Sequence, residues 1–213
     1  MCALRRCKGG AAKFFMAKVE MQLEPQILEN RFVRLEPITE AHREDLRAAC
    51  AADPDTWNQL YPFSMLGEAF DAGWARMYAN PLPEWIPFAV MAHGRCQGTS
   101  SYLAIDAAND TVEIGATYYG PELRGGAVNP AAKRLLLAHA FEAGARRVQF
   151  KVDAINARSR AAVLKLGAVQ EGILRADRIT WTGRVRDSVV FSILAEEWPP
   201  VRERLDTRLA EFA

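Results

Sequence analysis

The chain has 213 residues, of which 50% are hydrophobic and 25% are charged, a composition typical of a folded globular domain. It contains no apolar run near the roughly 18 residues that a membrane-spanning helix needs. The net charge of +1 argues against a chain made chiefly to coat nucleic acid. Four cysteines without a CxxC pair and three isolated histidines argue against a zinc site or a disulfide framework. We therefore expect no metal, no nucleic-acid or membrane partner, and a reducing, cytoplasmic location.

The first residues differ in composition from the rest of the chain. Residues 1–20 contain five lysines and arginines and a single acid. The apolar patch at 14–16 is shorter than a signal-peptide core of about 7–15 residues. We predict a basic, disordered N-terminal tail over residues 1–22 and a single folded domain over residues 23–213. The alternative is that the native chain begins at Met16 or Met21 and that the residues before it come from an upstream start.

Charge is distributed unevenly along the chain. Residues 20–123 hold 16 acids and 6 bases, whereas residues 124–186 hold 13 bases and 4 acids. The second segment could meet a polyanion while the first attracts a cation. Chance segregation of surface charge explains the same pattern equally well.

The N-terminal half predicts a strand, two helices and three further strands. Apolar and polar side chains alternate over 30–36, which indicates a strand. Thr39 is suited to cap a helix that runs to about residue 52. Apolar residues at three-and-four spacing predict a second helix over 65–78. Three strand-like runs separated by turns then predict an antiparallel meander. These runs are 87–92, 98–105 and 112–119.

The C-terminal half alternates helices and strands. Gly167 is the expected residue beyond a helix C-terminus, and Gly183 lies between two strand-like runs. The predicted elements are helix 130–143, strand 147–152, helix 157–166, a hairpin of 173–182 with 184–194, and a helical end over 198–212. The order β-α-α-β-β-β-α-β-α-β-β predicts an α/β (α+β) fold, with a mixed, mostly antiparallel sheet flanked by helices.

The segment 124–130, Arg-Gly-Gly-Ala-Val-Asn-Pro, joins a strand to a helix. Glycines allow a sharp turn and a close approach to a ligand. Asn129 is suited to the N-cap and Pro130 to the first helical position. Unpaired N–H groups at a helix start favour an anion, and Arg124 adds a charged donor. The turn therefore predicts a pyrophosphate site, although such turns also occur without a ligand. It lacks both GxxxxGK[ST] and GxGxxG, which disfavours a P-loop or a dinucleotide-binding Rossmann protein.

Three segments, read together, resemble the GNAT superfamily of N-acetyltransferases. They are Glu113-Ile114-Gly115, then Arg124 to Lys133 with Leu-Leu-Leu-Ala-His-Ala-Phe after Arg134, then Asp153-Ala154-Ile155-Asn156-Ala157-Arg158-Ser159 with Lys165 to Ala168. The similarity covers about residues 26–205 and is greatest to the branch that contains the ribosomal-protein N-terminal (alanine/serine) acetyltransferases. It implies a GNAT-like fold, acetyl-CoA as co-substrate and transfer of an acetyl group to an amine. It does not identify the amine.

The resemblance also implies which residues contact the cofactor. Backbone amides of the turn would hold the CoA pyrophosphate. The residues of that turn are Arg124, Gly125, Gly126, Ala127, Val128 and Asn129. Ala127 stands where the family usually has glycine, and a frequent family glutamate is Ala131 here. Asn156 resembles the asparagine that bonds the pantetheine arm, and it also suits a helix N-cap. Ser159 would lie near the sulfur and protonate the thiolate, and Arg158 is a candidate contact for the CoA phosphates.

Aminolysis of a thioester needs a neutral amine, a stabilised oxyanion and a proton for the thiolate. The sequence offers no Ser-His-Asp or Cys-His arrangement for a covalent intermediate. The resemblance places backbone N–H groups of Ala116, Thr117 and Tyr118, where GNAT strands bulge, as donors to the acetyl carbonyl. Glu113 is the predicted general base, acting through water, because its neighbours in the strand face the other way. An ordinary solvent-facing glutamate is the alternative.

The acceptor is restricted by its own pKa. An α-amine, with a pKa of about 7.7–8.0, is partly neutral at pH 7, whereas a lysine amine near 10.4 is almost wholly charged. A weak base therefore suits a protein or peptide N-terminus better than a side-chain ammonium. We predict an N-acetyltransferase acting on such a terminus or on a small-molecule amine. A non-catalytic acyl-CoA-binding regulatory module and an unrelated phosphate-binding α/β protein are the alternatives. The closing hairpin and the C-terminal helix could support a homodimer.

Overall fold

The computed structural model of the protein describes residues 21–78 and 85–212, so residues 1–20 of the predicted tail lie outside the described residues. Met21, at the end of that predicted segment, is buried in the core, and the N–H of Gln22 donates to the carbonyl of Ala143 at 3.0 Å. The strands are β1 Leu28–Asn30, β2 Val33–Pro37, β3 Trp85–Ala92, β4 Arg95–Asp106, β5 Thr111–Tyr119, β6 Arg147–Asp153, β7 Val169–Ile179 and β8 Val185–Leu194. The α-helices are α1 Arg43–Ala51, α2 Pro54–Leu60, α3 Phe70–Tyr78, α4 Val128–Glu142, α5 Ala157–Leu166 and α6 Trp198–Ala210.

The strands form one sheet in the order β1-β2-β3-β4-β5-β6-β8-β7. Each neighbouring pair is antiparallel except β5 and β6, which run parallel. The fold class predicted from the sequence is therefore confirmed. The single parallel pair is the place where the chain passes from its N-terminal meander to its C-terminal half.

Two hydrophobic clusters cover the two faces of the sheet. The larger cluster packs α4, α5 and α6 against one face, where Val112 and Ile114 of β5 and the fully buried Leu136 of α4 meet. The smaller cluster packs α1, α2 and α3 against the other face, around Trp57 and Tyr118. Each fully buried aliphatic side chain contributes about 1.5–3 kcal/mol to folding.

Capping and turn residues in the sequence correctly predicted the ends of several elements. The side chain of Asn156 accepts a hydrogen bond from the N–H of Ser159 at 3.0 Å and caps α5. Gly167 ends that helix with φ +101, and Gly183 turns the β7–β8 hairpin with φ +84. Glycine adopts both conformations without the steric cost that a Cβ would impose.

The first strand, predicted as one element over 30–36, is wrong in one respect. The segment belongs to a hairpin, in which β1 ends at Asn30 and β2 begins at Val33. The side-chain oxygen of Asn30 accepts from the N–H groups of Phe32 at 3.0 Å and Val33 at 3.1 Å. An asparagine that bonds its own backbone two residues on makes a turn, which here separates β1 from β2.

Helix boundaries in the N-terminal half also differ from the prediction. Helix α2 was not predicted, although Asp53 caps it through the N–H of Thr56 at 3.4 Å and Pro54 occupies its first position. Helix α3 begins at Phe70 rather than at residue 65, because Gly67 has φ +48 and cannot continue a helix. Thr39 precedes a short 3-10 turn that leads into α1.

The starts of α4 and β7 also differ between the prediction and the structure. Asn129 is not the N-cap of α4, since the helix begins at Val128 after Ala127. Pro130 is then the third helical residue, where its missing N–H costs nothing because first-turn amides have no acceptor within the helix. Strand β7 begins at Val169, four residues before the predicted start, and it ends at Ile179.

Candidate active site

A gap opens between β5 and β6. The two strands pair only through Thr111–Glu113 with Arg147–Gln149, yet both continue, to Tyr119 and Asp153. Their carboxyl ends therefore diverge. Because the strands are parallel, the turn before α4 and the turn before α5 lie at the same edge of the sheet. The gap thus combines an unpaired stretch of strand backbone with two helix N-termini.

Strand β5 bulges beside this gap. Its partners in β4 jump from Gly115–Ser101 to Tyr118–Thr99, so β5 carries one extra residue, and Ala116 has φ +44. The predicted bulge at 116–118 is confirmed. A bulge leaves its extra residue out of the strand ladder, and Ala116 and Thr117 have no register partner in β4.

The carbonyl groups of the bulge are occupied by side chains. The Thr117 hydroxyl donates to the Gly115 carbonyl at 3.4 Å, and the Thr99 hydroxyl donates to the Ala116 carbonyl at 3.0 Å. The Tyr61 hydroxyl, from the chain just after α2, donates to the Thr117 carbonyl. Each hydroxyl fixes one peptide group, so the orientation of the bulge is set by side chains as well as by the ladder.

The glycine turn presents backbone donors. Gly125 has φ +80, and a Cβ added to Gly125 or Gly126 would meet nothing within 4 Å, so the turn is open to a ligand on that side. Within the described residues, the backbone N–H groups of Gly125, Gly126 and Ala127 have no hydrogen-bond acceptor. Together with the first turn of α4, these donors fit a phosphate group.

The Arg124 side chain, predicted to add a charged donor for the anion, makes contacts within the fold. Its Nε donates to the Tyr119 carbonyl at 2.8 Å, and its guanidinium pairs with the Asp53 carboxylate at the start of α2. The guanidinium also lies 5.5 Å from the centroid of the Tyr118 ring. Arg124 therefore fastens the turn to the α2 region, and the phosphate donors that the geometry offers are main-chain groups.

The second helix start contributes Asn156, Arg158 and Ser159. Asn156 and Ser159 are half-buried, and Arg158 is exposed. The oxygen of the Asn156 side chain is used in the α5 cap. The Asn156 amide nitrogen and the Ser159 hydroxyl have no hydrogen-bond partner in the described part of the chain. Both are donors at the edge where the gap opens.

Glu113 lies where β5 and β6 begin to separate, and it is only 6% exposed. Its Oε2 accepts from the Gln149 side chain at 3.3 Å and lies 3.9 Å from the Lys151 ammonium. Burial raises the pKa of Glu113, and the nearby cations Lys151, Arg178 and Arg186 oppose that rise. The alternative of a solvent-facing strand glutamate is therefore excluded.

Gly115 gives this carboxylate room to pack against the strand. A Cβ at Gly115 would lie 3.0 Å from Oε1 of Glu113 and 2.8 Å from Cδ1 of Leu103. Residues 113 and 115 lie on the same face of β5 because side chains alternate along a strand. The absence of a side chain at Gly115 therefore leaves the room that the Glu113 carboxylate and the Leu103 side chain occupy.

The β7–β8 hairpin closes over the same face of the sheet. The backbone N–H of Trp181 donates to the Pro62 carbonyl and its indole N–H donates to the Trp57 carbonyl, both at 3.1 Å. Arg184 donates to the Gln59 carbonyl at 3.1 Å and pairs with the buried Asp153 at the end of β6. The α2 region and the hairpin tip therefore meet on the face of the sheet that carries Glu113.

Sequence reasoning missed two buried groups at the site. Lys133, in the second turn of α4, is 6% exposed, and its ammonium donates to the hydroxyls of Ser100 and Thr117. Asp153 is 3% exposed and binds Arg184. The resemblance included both residues, but no local pattern in the sequence distinguishes a buried lysine or aspartate from a solvated one.

In residues 21–78 and 85–212, no three His, Cys, Asp or Glu side chains are grouped so as to hold a metal ion. No helix there is both long and apolar enough to cross a membrane.

The site thus consists of a parallel strand pair that separates beside a bulge, with an amide-rich turn at its edge whose donors fit a phosphate group. Residues 33–169, more than half of the chain, match the family model described as Acetyltransferase (GNAT) domain. The chain therefore belongs to the GNAT acetyltransferase family and is an N-acetyltransferase.

Similar proteins agree with this assignment. YdaF of Bacillus subtilis (strain 168), a candidate ribosomal N-acetyltransferase, is 32% identical over 126 residues, which cover 59% of this chain and 67% of YdaF. A candidate acetyltransferase from T. thermophilus is 37% identical, with a TM-score of 0.81 over 89% of this chain and 100% of that chain. RimJ of Mycobacterium smegmatis, solved with CoA-disulfide, shares the fold, with 22% identity and a TM-score of 0.75 over 86% of this chain and 95% of that chain. The predicted resemblance, including its branch, is confirmed.

Proposed function

We propose that the protein transfers the acetyl group of acetyl-CoA directly to a primary amine, through a tetrahedral intermediate formed in the gap between β5 and β6. The acceptor is a protein or peptide N-terminus or a small-molecule amine. The observation that carries the proposal is the parallel pair that separates after Glu113, because it exposes strand backbone between two helix N-termini. Two free cysteines, Cys50 and Cys96, are buried, which is in keeping with a cytoplasmic location.

The cofactor is held at two points in this proposal. Amides of Gly125, Gly126 and Ala127, with those of Val128 and Asn129, bind the pyrophosphate at the start of α4. The Asn156 amide bonds the pantetheine arm, and Arg158 is exposed beside it for a CoA phosphate. The open space beside Gly125 and Gly126 and the unpaired amides of the turn fit this group.

The chemistry consists of one addition and one elimination. The neutral amine attacks the thioester carbonyl, and the carbonyl oxygen becomes an oxyanion that accepts hydrogen bonds from the bulge N–H groups of Ala116, Thr117 and Tyr118. The carbon–sulfur bond then breaks and the acetyl group stays on nitrogen. One proton leaves the nitrogen and one reaches the thiolate, so the products are an acetamide and CoA thiol.

Glu113 removes the proton from the attacking amine, directly or through one water. Its raised pKa makes it a stronger base than an exposed carboxylate, because a base is most effective when its pKa approaches the working pH. Ser159, whose hydroxyl faces no acceptor in the described residues, supplies the proton to the thiolate.

The electrostatics of the cleft favour an amine of low pKa. The charged groups nearest Glu113 are the cations Lys151, Arg178 and Arg186. They disfavour a further cation, such as a protonated acceptor amine, beside the carboxylate. An α-amine is partly neutral at pH 7, whereas a lysine amine must first lose a proton at considerable cost. We therefore rank a protein or peptide N-terminus ahead of polyamines as the acceptor, although residues 20–123 of this chain are acidic overall.

The test is thiol release from acetyl-CoA with a panel of N-terminal peptides, polyamines and amino-sugars. We expect release that depends on the added amine and is fastest with an α-amine. Glu113→Gln and Ser159→Ala should each slow turnover with the active acceptor. Binding of CoA without turnover of any amine would instead favour the acyl-CoA-binding regulatory module.

A further inference from the structure

Lys133 is a buried cation without a carboxylate partner. Its side chain is 6% exposed, and its ammonium donates to the Thr117 hydroxyl at 2.8 Å and to the Ser100 hydroxyl at 3.2 Å. Across residues 21–78 and 85–212, no acid forms an ion pair with it. Burial lowers the pKa of Lys133 to about 7. An apolar side chain of similar length would fill the same space without this desolvation cost.

The two hydroxyls that Lys133 binds belong to the bulge and its partner strand. Thr117 and Ser100 also share a hydrogen bond at 2.8 Å. In its charged form Lys133 can only donate, so the ammonium directs the hydroxyl proton of Thr117 away from itself. That proton is available to the Gly115 carbonyl, 3.4 Å away. Lys133 thus completes a chain of hydrogen bonds from α4 to the backbone of the bulge.

We infer that Lys133 is a positioning residue for acetyl transfer, which holds Thr117 so that the bulge presents its N–H groups to the thioester carbonyl. The inference rests on the proposed function, since the bulge is the oxyanion site in that mechanism. It explains why a costly cation occupies this point of α4. A misplacement of such donors by a fraction of an ångström weakens the transition state more than the ground state.

The test compares kcat and KM for acetyl-CoA in Lys133→Met, Thr117→Val and the double variant. We expect each single change to lower kcat by about 10- to 100-fold, below the loss from deleting a whole oxyanion donor, with KM changed less than about threefold. The double variant should be no slower than the slower single variant, because both changes break one chain of contacts. Thr117→Ser keeps the hydroxyl and should retain most of the activity.

Arg134→Met is the matched control on the same helix. Arg134 pairs with Asp206 of α6 at 2.8 Å, on the side of α4 that faces α6, and its replacement should leave kcat within about twofold. Equal losses in Lys133→Met and Arg134→Met would overturn the inference, as would multiplying losses in the double variant. If Lys133→Met does not fold, Thr117→Val decides, and a wild-type kcat in that variant would overturn the inference.

A binding measurement separates this inference from the proposed function. The bulge donors contact the acetyl carbonyl, which CoA lacks, so wild type should bind acetyl-CoA more tightly than CoA in a calorimetric titration. Lys133→Met should lose that preference, a change within the roughly threefold limit expected for KM, and keep its affinity for CoA. If Lys133→Met kept the same preference for acetyl-CoA as wild type, the positioning role would be contradicted, even in a chain that turned over no amine. Absence of amine turnover by wild type would count against the proposed function alone.

Discussion

Two buried ionisable side chains with opposite charges lie on either face of β5. Burial raises the pKa of Glu113 and lowers the pKa of Lys133 to about 7. Both shifts favour the neutral form, because a low-dielectric environment disfavours charge. Such perturbed groups in a cleft are typical of functional sites. Glu113 is the proposed base, and Lys133 is the proposed positioning residue for the oxyanion donors.

The pH dependence of turnover tests the role of Glu113. Since the base must be deprotonated, kcat/KM should rise as pH increases through the raised pKa of Glu113. Glu113→Gln should lose that limb and about 100-fold in kcat, while the limb that reports deprotonation of the acceptor amine remains. A pH–rate profile measured from pH 5 to 9 in both proteins checks this. The melting temperature of the variant should not fall, because a buried carboxylate is removed; an unchanged profile would contradict the assignment.

The pH dependence of stability tests the burial of Lys133. Its folded pKa, about 7, lies below the unfolded value of 10.5, so between these pH values the unfolded chain binds the extra proton. This group therefore makes the protein more stable as pH rises from about 7 to 10.5, by up to about 1.4 kcal/mol per pH unit. Lys133→Met should lack that slope and be the more stable protein at pH 7. Urea unfolding of both proteins at pH 7, 8 and 9 gives the difference, and parallel curves would contradict it.

Sequence reasoning identifies Glu113 but not Lys133, for a physical reason. Alternation along a strand indicates that residue 113 faces away from Val112 and Ile114, and the structure confirms that face. A lysine on an amphipathic helix is usually solvated, and its burial here depends on Thr117 and Ser100, which come from other elements. Contacts between distant segments leave no local pattern.

At the scale of elements, the start of α5 combines a structural and a proposed functional role in one side chain. The Asn156 oxygen caps the helix at 3.0 Å from the Ser159 nitrogen, and the amide nitrogen is the proposed pantetheine donor. Replacement by aspartate keeps the acceptor and removes the donor, whereas replacement by alanine removes both.

The two replacements of Asn156 should therefore separate the two roles. Asn156→Asp should keep the melting temperature and raise KM for acetyl-CoA. Asn156→Ala should raise KM similarly and also cost about 1 kcal/mol of stability through the lost cap. Steady-state kinetics and thermal melts of both variants provide the measurement. A wild-type KM in Asn156→Asp would restrict Asn156 to its capping role.

Elements with a local signal were predicted well, and those decided by tertiary contacts were not. The Asn156 cap, the Gly167 end and the hairpin at Gly183 depend on a few adjacent residues. The N-cap of α4 was placed at Asn129 because asparagine is favoured there, yet the helix already begins at Val128. The prediction used the residue type alone, without the orientation of the turn.

At the scale of the whole molecule, the site follows from the strand order. Only the β5–β6 pair is parallel among the described strands, and its early separation creates the gap at the edge where α4 and α5 begin. The sequence predicts a mixed sheet and the residues at that edge. It does not predict how far β5 and β6 remain paired, because that depends on the register of distant segments.

Closure of the cleft also belongs to this scale. The hairpin tip at Trp181 and Arg184 contacts the α2 region more than 100 residues away in the chain. The face of the sheet that carries Glu113 is therefore covered by segments from both halves of the sequence. The basic residues of β6 and β8 face Glu113 there, so the acidic balance of residues 20–123 does not describe the charge around the proposed base.

The most direct measurement is a calorimetric titration of acetyl-CoA into the wild-type protein. The account predicts saturable binding to one site, with a dissociation constant in the range of about 1 μM to 1 mM that is usual for enzyme substrates. The amides of the turn before α4 and the gap beside β5 would then have the ligand that their geometry fits. No detectable binding of acetyl-CoA at millimolar concentration by a folded sample would contradict the assignment of this site and, with it, the proposed chemistry.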